Sequence, residues 1–340
     1  MNLDLLTSSY DYLLPKELIA SHPAHPADSA KLLVYDRKTD TITHSVFSKI
    51  LDFIPNDCSI FLNDTKVIKA RIFGHKRSGG KIELLLDKPI ADDRFVVYIR
   101  GKVNIDTILH FDNALKAKVV TLNEDGSRIV EFFENNEKID FAKLIVLLET
   151  IGHVPLPPYI QREDTKEDVT EYQSLFAKVE GAVAAPTASL HFTPELLANL
   201  KKRFETFTLT LHVGSGTFKP VDCDNIEEHQ IHSELFNVPQ DAATALKSNK
   251  PILAIGTTVA RTIEFFHRTG KTSGECDIFL HPQNTPKRVD HLLTNFHLPK
   301  STLIMLVSSF IGREKTIEIY NEAIKNNYRF YSYGDTILIL

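Results

Sequence analysis

Hydrophobic and polar positions change their spacing twice along this chain. In the first 65 residues, short apolar runs at 31–35 and 59–63 flank a helical pattern at 47–54. Pro15 marks the start of a further predicted helix over residues 16–20, because proline is favoured at the first helical position. This part of the chain therefore predicts mixed α/β structure.

The segment from about residue 67 to residue 133 has the pattern of strands alone. Alternating apolar and polar residues predict strands at 67–73, 81–86, 94–99, 117–122 and 128–133. Glycine and aspartate turn signals separate them, so we expect a small barrel or sandwich. A predicted helix at 141–150 and the proline-rich stretch 155–158 follow. Because each proline fixes its own φ and disfavours a helix before it, a domain border is expected there.

Beyond residue 171 strands alternate with helices. The predicted strands are 205–213, 251–257 and 336–340, and the predicted helices are 242–248, 259–268, 302–312 and 316–326. This alternation predicts a mainly parallel sheet covered by helices. Since the first 65 residues share this character, the fold class is a discontinuous α/β domain, residues 1–65 and 151–340, with a mixed sheet and flanking helices. An all-β, barrel-like domain, residues 66–150, is inserted into it.

Composition limits the class of protein. The 340 residues are 43% hydrophobic and carry a net charge of −5, which is typical of a globular chain without a global positive field. Three widely spaced cysteines argue against a disulfide framework and favour a reducing cytoplasm. The first 20 residues lack the apolar core of a signal peptide, and the longest apolar runs are too short to span a bilayer. We therefore expect a cytoplasmic protein with no membrane partner.

Three predicted helices of the α/β part begin beside hydroxyl residues. The segments are His191-Phe192-Thr193-Pro194-Glu195, Gly256-Thr257-Thr258-Val259-Ala260-Arg261 and Phe296-His297-Leu298-Pro299-Lys300-Ser301-Thr302. Helix capping explains Thr193, which precedes a proline. Capping does not explain the nearby imidazole and cationic side chains, which are His191, Arg261, His297 and Lys300. Because helix N-termini favour anions, these segments are candidates for binding a carboxylate or a phosphate.

A glycine-containing turn follows the predicted strand 205–213. Gly214 and Gly216 allow the backbone to approach a ligand closely. Lys219 occupies the position where a dinucleotide fingerprint needs its next glycine, so a Rossmann cofactor site is not supported. The alternatives are a tight turn and a contact with another kind of ligand.

A His-x-x-His pattern lies in the polar segment 228–234. The spacing of His229 and His232 could place two imidazoles on one helical face for a metal, but a third ligand is not apparent. We therefore expect no metal. The segment is better explained as the lining of a polar cleft in which His232 or Glu234 transfers a proton.

Six cations and no acid lie between residues 66 and 82. They are Lys66, Lys69, Arg71, Lys76, Arg77 and Lys81, here called the basic island. A charge run of this kind is commonly a solvated face. The alternative is an RNA-binding patch, whose affinity would fall with salt because phosphate contacts release counterions.

Eight segments, in order and nearly end to end, carry a family resemblance. They are residues 12–20, 61–67, 79–83, 154–160, 181–188, 216–218, 294–302 and 328–335. With them the sequence resembles the S-adenosylmethionine:tRNA ribosyltransferase-isomerases of queuosine biosynthesis. The resemblance implies an α/β domain with an inserted β-barrel. It also implies an enzyme that moves and isomerises the ribosyl unit of S-adenosylmethionine onto 7-aminomethyl-7-deazaguanine (preQ1) at the tRNA wobble position. Epoxyqueuosine-tRNA, adenine and methionine are the implied products.

That reaction implies roles for the candidate residues. A proton must leave the carbon beside the sulfonium, and adenine must depart with a proton or a strong hydrogen bond. Our hypothesis is that the acid that assists adenine departure is His191, His232 or His297. It places the base on Asp64 or Glu234, where a carboxylate also favours the sulfonium.

The implied binding roles follow from charge and hydrogen-bonding capacity. Arg261 and Lys300 would hold the methionine carboxylate. The ribose and adenine would be contacted by Gly214, Gly216, Thr217, Thr257 and Thr258. The basic island would bind the tRNA backbone, and S-adenosylmethionine is consumed as a substrate, so no resident cofactor is expected.

Two other classes of function remain open on the sequence. A non-catalytic tRNA-binding module would explain the basic island but not the clustered histidine, arginine and hydroxyl residues. An S-adenosylmethionine-dependent RNA methyltransferase would bind the same small molecule and leave S-adenosylhomocysteine. The identity of the products separates these alternatives.

Overall fold

A computed structural model describes residues 2–91, 93–218 and 221–340, and this part of the chain divides into two compact units. The first unit comprises residues up to Thr65, Gln173–Val179 and Ala185–Leu340; the second comprises Lys66–Tyr172 and Glu180–Ala184. Residues 151–172, which the sequence-based division assigns to the α/β domain, thus belong to the second unit. The physical reason is a backbone pairing in which the N–H of His153 donates to the carbonyl of Arg71 at 2.8 Å.

The chain before Thr65 supplies three strands of the first unit. They are β1 (Lys31–Asp36), β2 (Thr41–Val46) and β3 (Ser59–Asn63). Short 3-10 helices lie at Leu3–Leu5, Thr7–Tyr10, Lys16–Leu18, Ala27–Ser29 and Phe47–Asp52. Two of these replace the helices predicted at 16–20 and 47–54, so the positions were correct but the segments are shorter and more tightly wound.

The second unit is mainly antiparallel strand. The chain here forms β4 (Thr65–Val67), β5 (Arg71–Lys76), β6 (Lys81–Ala91), β7 (Arg94–Arg100), β8 (Ile108–His110), β9 (Leu115–Leu122), β10 (Arg128–Glu134), β11 (Glu137–Lys138), α1 (Phe141–Ile151), α2 (Asp168–Glu171) and β12 (Val179–Ala182). The strands from β5 to β10 close into a barrel because β10 pairs with both β7 and β9. Alternate side chains such as Leu84, Val97 and Phe132 fill its interior. The predicted inserted barrel is confirmed.

The rest of the first unit alternates strands and helices. The elements are α3 (Pro194–Arg203), β13 (Thr206–Leu211), β14 (Glu234–Asn237), α4 (Gln240–Leu246), β15 (Ile252–Ile255), α5 (Thr257–Thr269), β16 (Ser273–Cys276), β17 (His291–Asn295), α6 (Thr302–Ile311), α7 (Arg313–Lys325) and β18 (Thr336–Ile339). Further 3-10 turns lie at Thr187–Ser189, Ser215–Phe218 and Ile226–Glu228. The predicted capping is confirmed, since the Thr193 hydroxyl accepts from the N–H of Leu196.

Among the described residues, the strands of the first unit form a nine-stranded mixed sheet in the order β16-β14-β13-β3-β15-β17-β18-β1-β2. The neighbours β13-β3, β3-β15, β15-β17 and β18-β1 are parallel, and the other pairs are antiparallel. A mixed sheet with helices was predicted and is confirmed, whereas the expectation of a mainly parallel sheet was wrong. Strand β14 follows β13 without a crossover helix, and β18 runs opposite to β17.

The four parallel strands β13, β3, β15 and β17 bring their carboxyl ends to one edge of the sheet. Asp64 follows β3, His212 follows β13, Gly256 follows β15 and Phe296 follows β17. Ligands of α/β sheets bind at such edges, since loops and helix N-termini meet there. No helix in the described part of the chain is long and apolar enough to cross a membrane.

Candidate active site

A cavity opens in the first unit beside β14, α5 and α6. Its polar lining consists of Thr217, His229, His232, Glu234, Arg261 and Thr302. Its apolar lining includes Ile231, Ile278, Phe279, Leu303 and Leu306. Apolar walls with a few polar groups suit a ligand that has both kinds of surface.

A buried ion pair forms the charged end of the cavity. Arg261, on the second turn of α5, donates from Nη1 to the Oε2 of Glu234, the first residue of β14. Its Nε donates to the carbonyl of Ile278 at 3.2 Å. Burial acts to lower the pKa of the Arg261 guanidinium, but the charge of Glu234 and its neighbours raises it, so the side chain stays cationic. The cavity therefore holds a fixed positive group with a carboxylate as its present partner.

The other oxygen of Glu234 holds the glycine turn. Oε1 accepts from the backbone N–H of Gly214 at 3.0 Å and from the Thr217 hydroxyl at 3.3 Å. Gly216 lies against His232, because a Cβ at Gly216 would come within 2.3 Å of the imidazole Cδ2. The turn predicted from its glycines thus contacts a cavity histidine and a cavity carboxylate. Lys219, which argued against a dinucleotide site, lies outside the described residues.

The segment with the His-x-x-His pattern is irregular rather than helical. His229 and His232 nevertheless reach the same cavity, and the His229 ring lies 5.9 Å from the Phe279 ring. Burial, followed by the charge of His232, lowers the pKa of His229, so its imidazole is neutral near pH 7. Among the described residues, no group of three or more His, Cys, Asp or Glu side chains is arranged to hold a metal.

A second polar cluster lies at the carboxyl ends of β3 and β13. The Thr210 hydroxyl donates to Oδ1 of Asp64 at 2.7 Å, and the Thr65 hydroxyl lies 2.8 Å from Nδ1 of His212. Burial lowers the pKa of His212, while the Asp64 carboxylate acts in the opposite direction. The sequence analysis did not select His212, although the parallel pairing of β3 with β13 makes it a neighbour of Asp64. The signal would have been two polar residues directly after adjacent parallel strands.

Comparison with known proteins agrees with this fold. The family model described as "Queuosine biosynthesis protein" matches residues 7–339. The chain belongs to this family. A curated relative from Aliarcobacter butzleri is 64% identical over 99% of both chains, and one from Campylobacter jejuni (strain RM1221) is 59% identical over the full length of both. Both are named S-adenosylmethionine:tRNA ribosyltransferase-isomerase.

A solved structure supports the fold of this queuosine biosynthesis protein. The S-adenosylmethionine tRNA ribosyltransferase of Thermotoga maritima is 34% identical, with a TM-score of 0.56, and the match covers 98% of this chain and 100% of that one. The family resemblance stated from the eight segments is therefore confirmed. So is the expected enzyme class, a transferase and isomerase of queuosine biosynthesis.

Two of the predicted acids of this family member are buried away from solvent. His191 is 4% exposed, and its Nε2 lies 3.2 Å from Nδ2 of Asn295. His297 is 7% exposed, and its Nε2 lies 2.8 Å from the Thr294 hydroxyl. Burial lowers the pKa of each imidazole to about 3, so both are neutral at physiological pH. Neither histidine is among the described residues that line the cavity.

The residues chosen for their positions at helix starts differ in what they contact. Lys300 forms an ion pair with Asp11 at 2.7 Å. Thr258, at the start of α5, accepts from Nδ2 of Asn63 at 3.2 Å, and Thr257 is buried beside it. Thr302, the first residue of α6, lines the cavity. The cavity thus combines Arg261 with the start of α6, while Lys300 is engaged elsewhere.

Half of the cations in the basic island of the second unit are paired with glutamates. Lys66 pairs with Glu180 at 2.8 Å, Lys69 with Glu149 at 3.2 Å and Arg71 with Glu83 at 2.7 Å. Lys76 donates to a backbone carbonyl, whereas Arg77 and Lys81 are exposed. The sequence showed the run of cations, but it could not show that glutamates from other strands and from α1 face it.

Proposed function

We propose that this protein transfers and isomerises the ribosyl unit of S-adenosylmethionine onto preQ1 at the wobble position of tRNA, and that adenine and methionine are released. The observation that carries the proposal is the Arg261–Glu234 pair at one end of an apolar-walled cavity, in a chain whose full-length relatives bear that activity in their names. S-adenosylmethionine is then a consumed substrate, and the second substrate is a tRNA. The proposed location is the cytoplasm.

The charges of the cavity fit those of S-adenosylmethionine. Its carboxylate would bind the Arg261 guanidinium, which already holds a carboxylate in Glu234. Its sulfonium would be stabilised by Glu234 once that side chain is released from part of its pairing. The apolar and aromatic wall, with Phe279 beside His229, would pack against the adenine.

Glu234 is the proposed base. It lies at the wall of the cavity and would accept the proton from the carbon beside the sulfonium. His232 is the proposed acid for adenine departure, since it lines the same cavity. His191 and His297 fit that role less well, because an imidazole with a pKa of about 3 holds no transferable second proton at pH 7.

Deprotonation of the tRNA amine requires another acceptor. Asp64 and His212 lie together at the edge of the sheet, where the hydroxyls of Thr210 and Thr65 orient them. We assign the amine proton to this pair. The nitrogen lone pair bonds to the sugar carbon that loses adenine, and adenine leaves with the C–N electron pair and the proton from His232. The electron pair left by the C–H proton closes the five-carbon ring on that same carbon, whose bond to the ring oxygen breaks. That oxygen then closes the epoxide at the carbon bearing sulfur, and methionine leaves with the C–S electron pair as a neutral thioether.

Product analysis tests the proposal. Purified protein would be incubated with S-adenosylmethionine and tRNA carrying preQ1, and the digested tRNA and small molecules would be analysed by mass spectrometry. Adenine, methionine and an epoxy-cyclopentyl nucleoside are expected together. S-adenosylhomocysteine would indicate a methyltransferase instead, and intact S-adenosylmethionine beside bound tRNA would indicate a binding module.

A further inference from the structure

A second concave surface of the first unit is rich in cations. It runs along the first half of β13 and is called here the β13 groove. Its basic residues are Lys178, Lys201, Lys202 and Arg203. Three of them close the C-terminal end of α3, where a helix favours positive charge.

The lysines of this groove carry uncompensated charge. Lys178, Lys201 and Lys202 are exposed, and none of them has a carboxylate partner within 4.0 Å among residues 2–91, 93–218 and 221–340. Of the two acids at the groove, Glu205 pairs with Lys250 at 2.7 Å, and Asp241 accepts from the backbone N–H of Ala242. The four cations outnumber these two acids. This differs from the basic island, where Lys66, Lys69 and Arg71 each have a glutamate partner.

The groove leads toward the carboxyl edge of the sheet. It begins at Arg203 and Thr206, the end of α3 and the start of β13. It extends to Lys178, whose backbone N–H donates to the Asp64 carbonyl at 2.7 Å. Three residues of β13, Thr206–Thr208, line it and span about 10 Å, a length over which a nucleic acid strand presents more than one phosphate. Lys201 and Lys202 therefore lie at one end of the groove, and Lys178 lies at the other end, beside Asp64.

The floor of the groove offers an aromatic surface. Phe207 lines it, and its ring stacks on the buried Phe61 with centroids 5.2 Å apart. RNA-binding proteins combine such rings, which stack with bases, with cations that contact phosphates. A lipid surface would make more contact with a convex or flat patch than with this concave one.

We propose that the β13 groove binds the phosphate backbone of the tRNA substrate through Lys178, Lys201 and Lys202. The inference rests on the proposed function in one respect, which is that the macromolecular substrate is a tRNA. It places the RNA on the unit that contains the cavity, along a path toward Asp64. It assigns the basic island a minor part in binding.

Salt-dependent binding tests this assignment. Fluorescently labelled tRNA carrying preQ1 would be titrated with the wild type and the Lys178→Ala/Lys201→Ala/Lys202→Ala variant between about 50 and 200 mM salt. Each lost phosphate contact flattens the plot of log affinity against log salt by about 0.7–0.9, so the variant should lose about 2–3 units of slope. At the lowest salt we expect binding at least about tenfold weaker.

A matched control removes the same charge elsewhere on the same unit. Lys16, Lys49 and Lys271 are exposed and do not line the groove, and their triple alanine variant should bind tRNA as the wild type does. The KM for S-adenosylmethionine should remain unchanged in both variants, and so should the melting temperature, since the Lys178 backbone bond to Asp64 is kept.

The outcomes are distinct. Equal slopes for the groove variant and the control would overturn the proposal. A large loss of slope in Arg77→Ala/Lys81→Ala, with none in the groove variant, would move the RNA to the barrel. The titration measures tRNA binding and does not require the reaction to occur. Absence of adenine release would therefore refute the proposed function without affecting the conclusion about tRNA binding in the groove. Equal weakening toward anionic lipid vesicles and tRNA would show a non-specific cationic surface and also overturn it.

Discussion

Helix α5 carries two arginines, each paired with a buried glutamate, and the two pairs differ in their surroundings. Arg268 pairs with Glu264, whose carboxylate also accepts the backbone N–H groups of Lys287, Arg288 and Val289 at 2.7–2.9 Å. That pair fixes a loop. Arg261 pairs with Glu234 at the wall of a cavity.

The difference between the two pairs shows that a buried ion pair does not by itself identify a catalytic or binding site. Glu264 is completely buried, and its carboxylate oxygens accept hydrogen bonds from three backbone N–H groups of the loop 287–289. This loop does not line the cavity. Glu234 instead holds a cavity arginine and a glycine turn, two partners that a ligand carboxylate or a rotated side chain could replace. An ion pair is a candidate for chemistry where a ligand can reach it.

The largest expected effect separates the two glutamates. Glu234→Gln should lower kcat by about 10²- to 10⁴-fold, because an amide cannot accept the proton that the reaction releases. Glu264→Gln should leave kcat unchanged and lower the free energy of unfolding by about 1–3 kcal/mol, since hydrogen bonds to a buried charged group are weakened. Adenine release and urea denaturation measure the two quantities, and equal losses of kcat would remove Glu234 from the chemistry.

The two arginines provide the next comparison. Arg261→Ala should raise the KM for S-adenosylmethionine at least about 30-fold, the effect of truncating one partner of a buried charged contact. Arg268→Ala should change that KM by less than about twofold, since its contacts are with Glu264, Asn284 and a backbone carbonyl. Steady-state kinetics, at a temperature below the melting temperature of both variants, measure the two KM values. A KM that stays at the wild-type value in Arg261→Ala would place the substrate carboxylate elsewhere.

The last comparison concerns stability rather than activity, at buried polar groups that do not line the cavity. The pKa of His191 and His297 is about 3 in the folded protein and about 6.5 in the unfolded chain, so acid protonates the unfolded state first. Their contribution to stability is complete above pH 6.5 and declines toward pH 3, by up to about 1.4 kcal/mol per pH unit for each histidine.

Unfolding free energies measured from pH 7.5 down to about pH 5 check this expectation. The double variant His191→Gln/His297→Gln should show a flatter decline than the wild type, and the exposed His267→Gln should match the wild type. If the double variant followed the wild-type slope, the two imidazoles would not be the groups that titrate.

The fold could be predicted wherever apolar runs were bounded by turns. Strand β3 was found at its observed limits, whereas β2, β14, β16 and β17 were missed. Strand β16, with the sequence Ser-Gly-Glu-Cys, is an exposed edge strand, so it has no hydrophobic alternation. Its place is set by pairing with β14, a long-range contact that no local pattern encodes.

The sequence predicted the candidate site only in part, because long-range contacts also decide which side chains reach the cavity. Arg261, Glu234, His232, Gly216 and Thr217 lie on the cavity as the sequence suggested. Position near a helix start carries no information on which way a side chain points. The pairing of Lys300 with Asp11 and the burial of His191 and His297 could therefore not be foreseen. The glycine turn was a better guide, because close backbone approach is a local property.

The insertion of a closed barrel between β3 and β13 has a consequence for how the chain folds. Asn63 and Thr206 end and begin two strands that pair in parallel, although about 140 residues separate them. Once the barrel has formed and β4 has paired with β12, the effective loop between the strands is much shorter, which reduces the entropic cost of closing it by about 1–2 kcal/mol. We expect the barrel to fold first and to speed the assembly of the nine-stranded sheet.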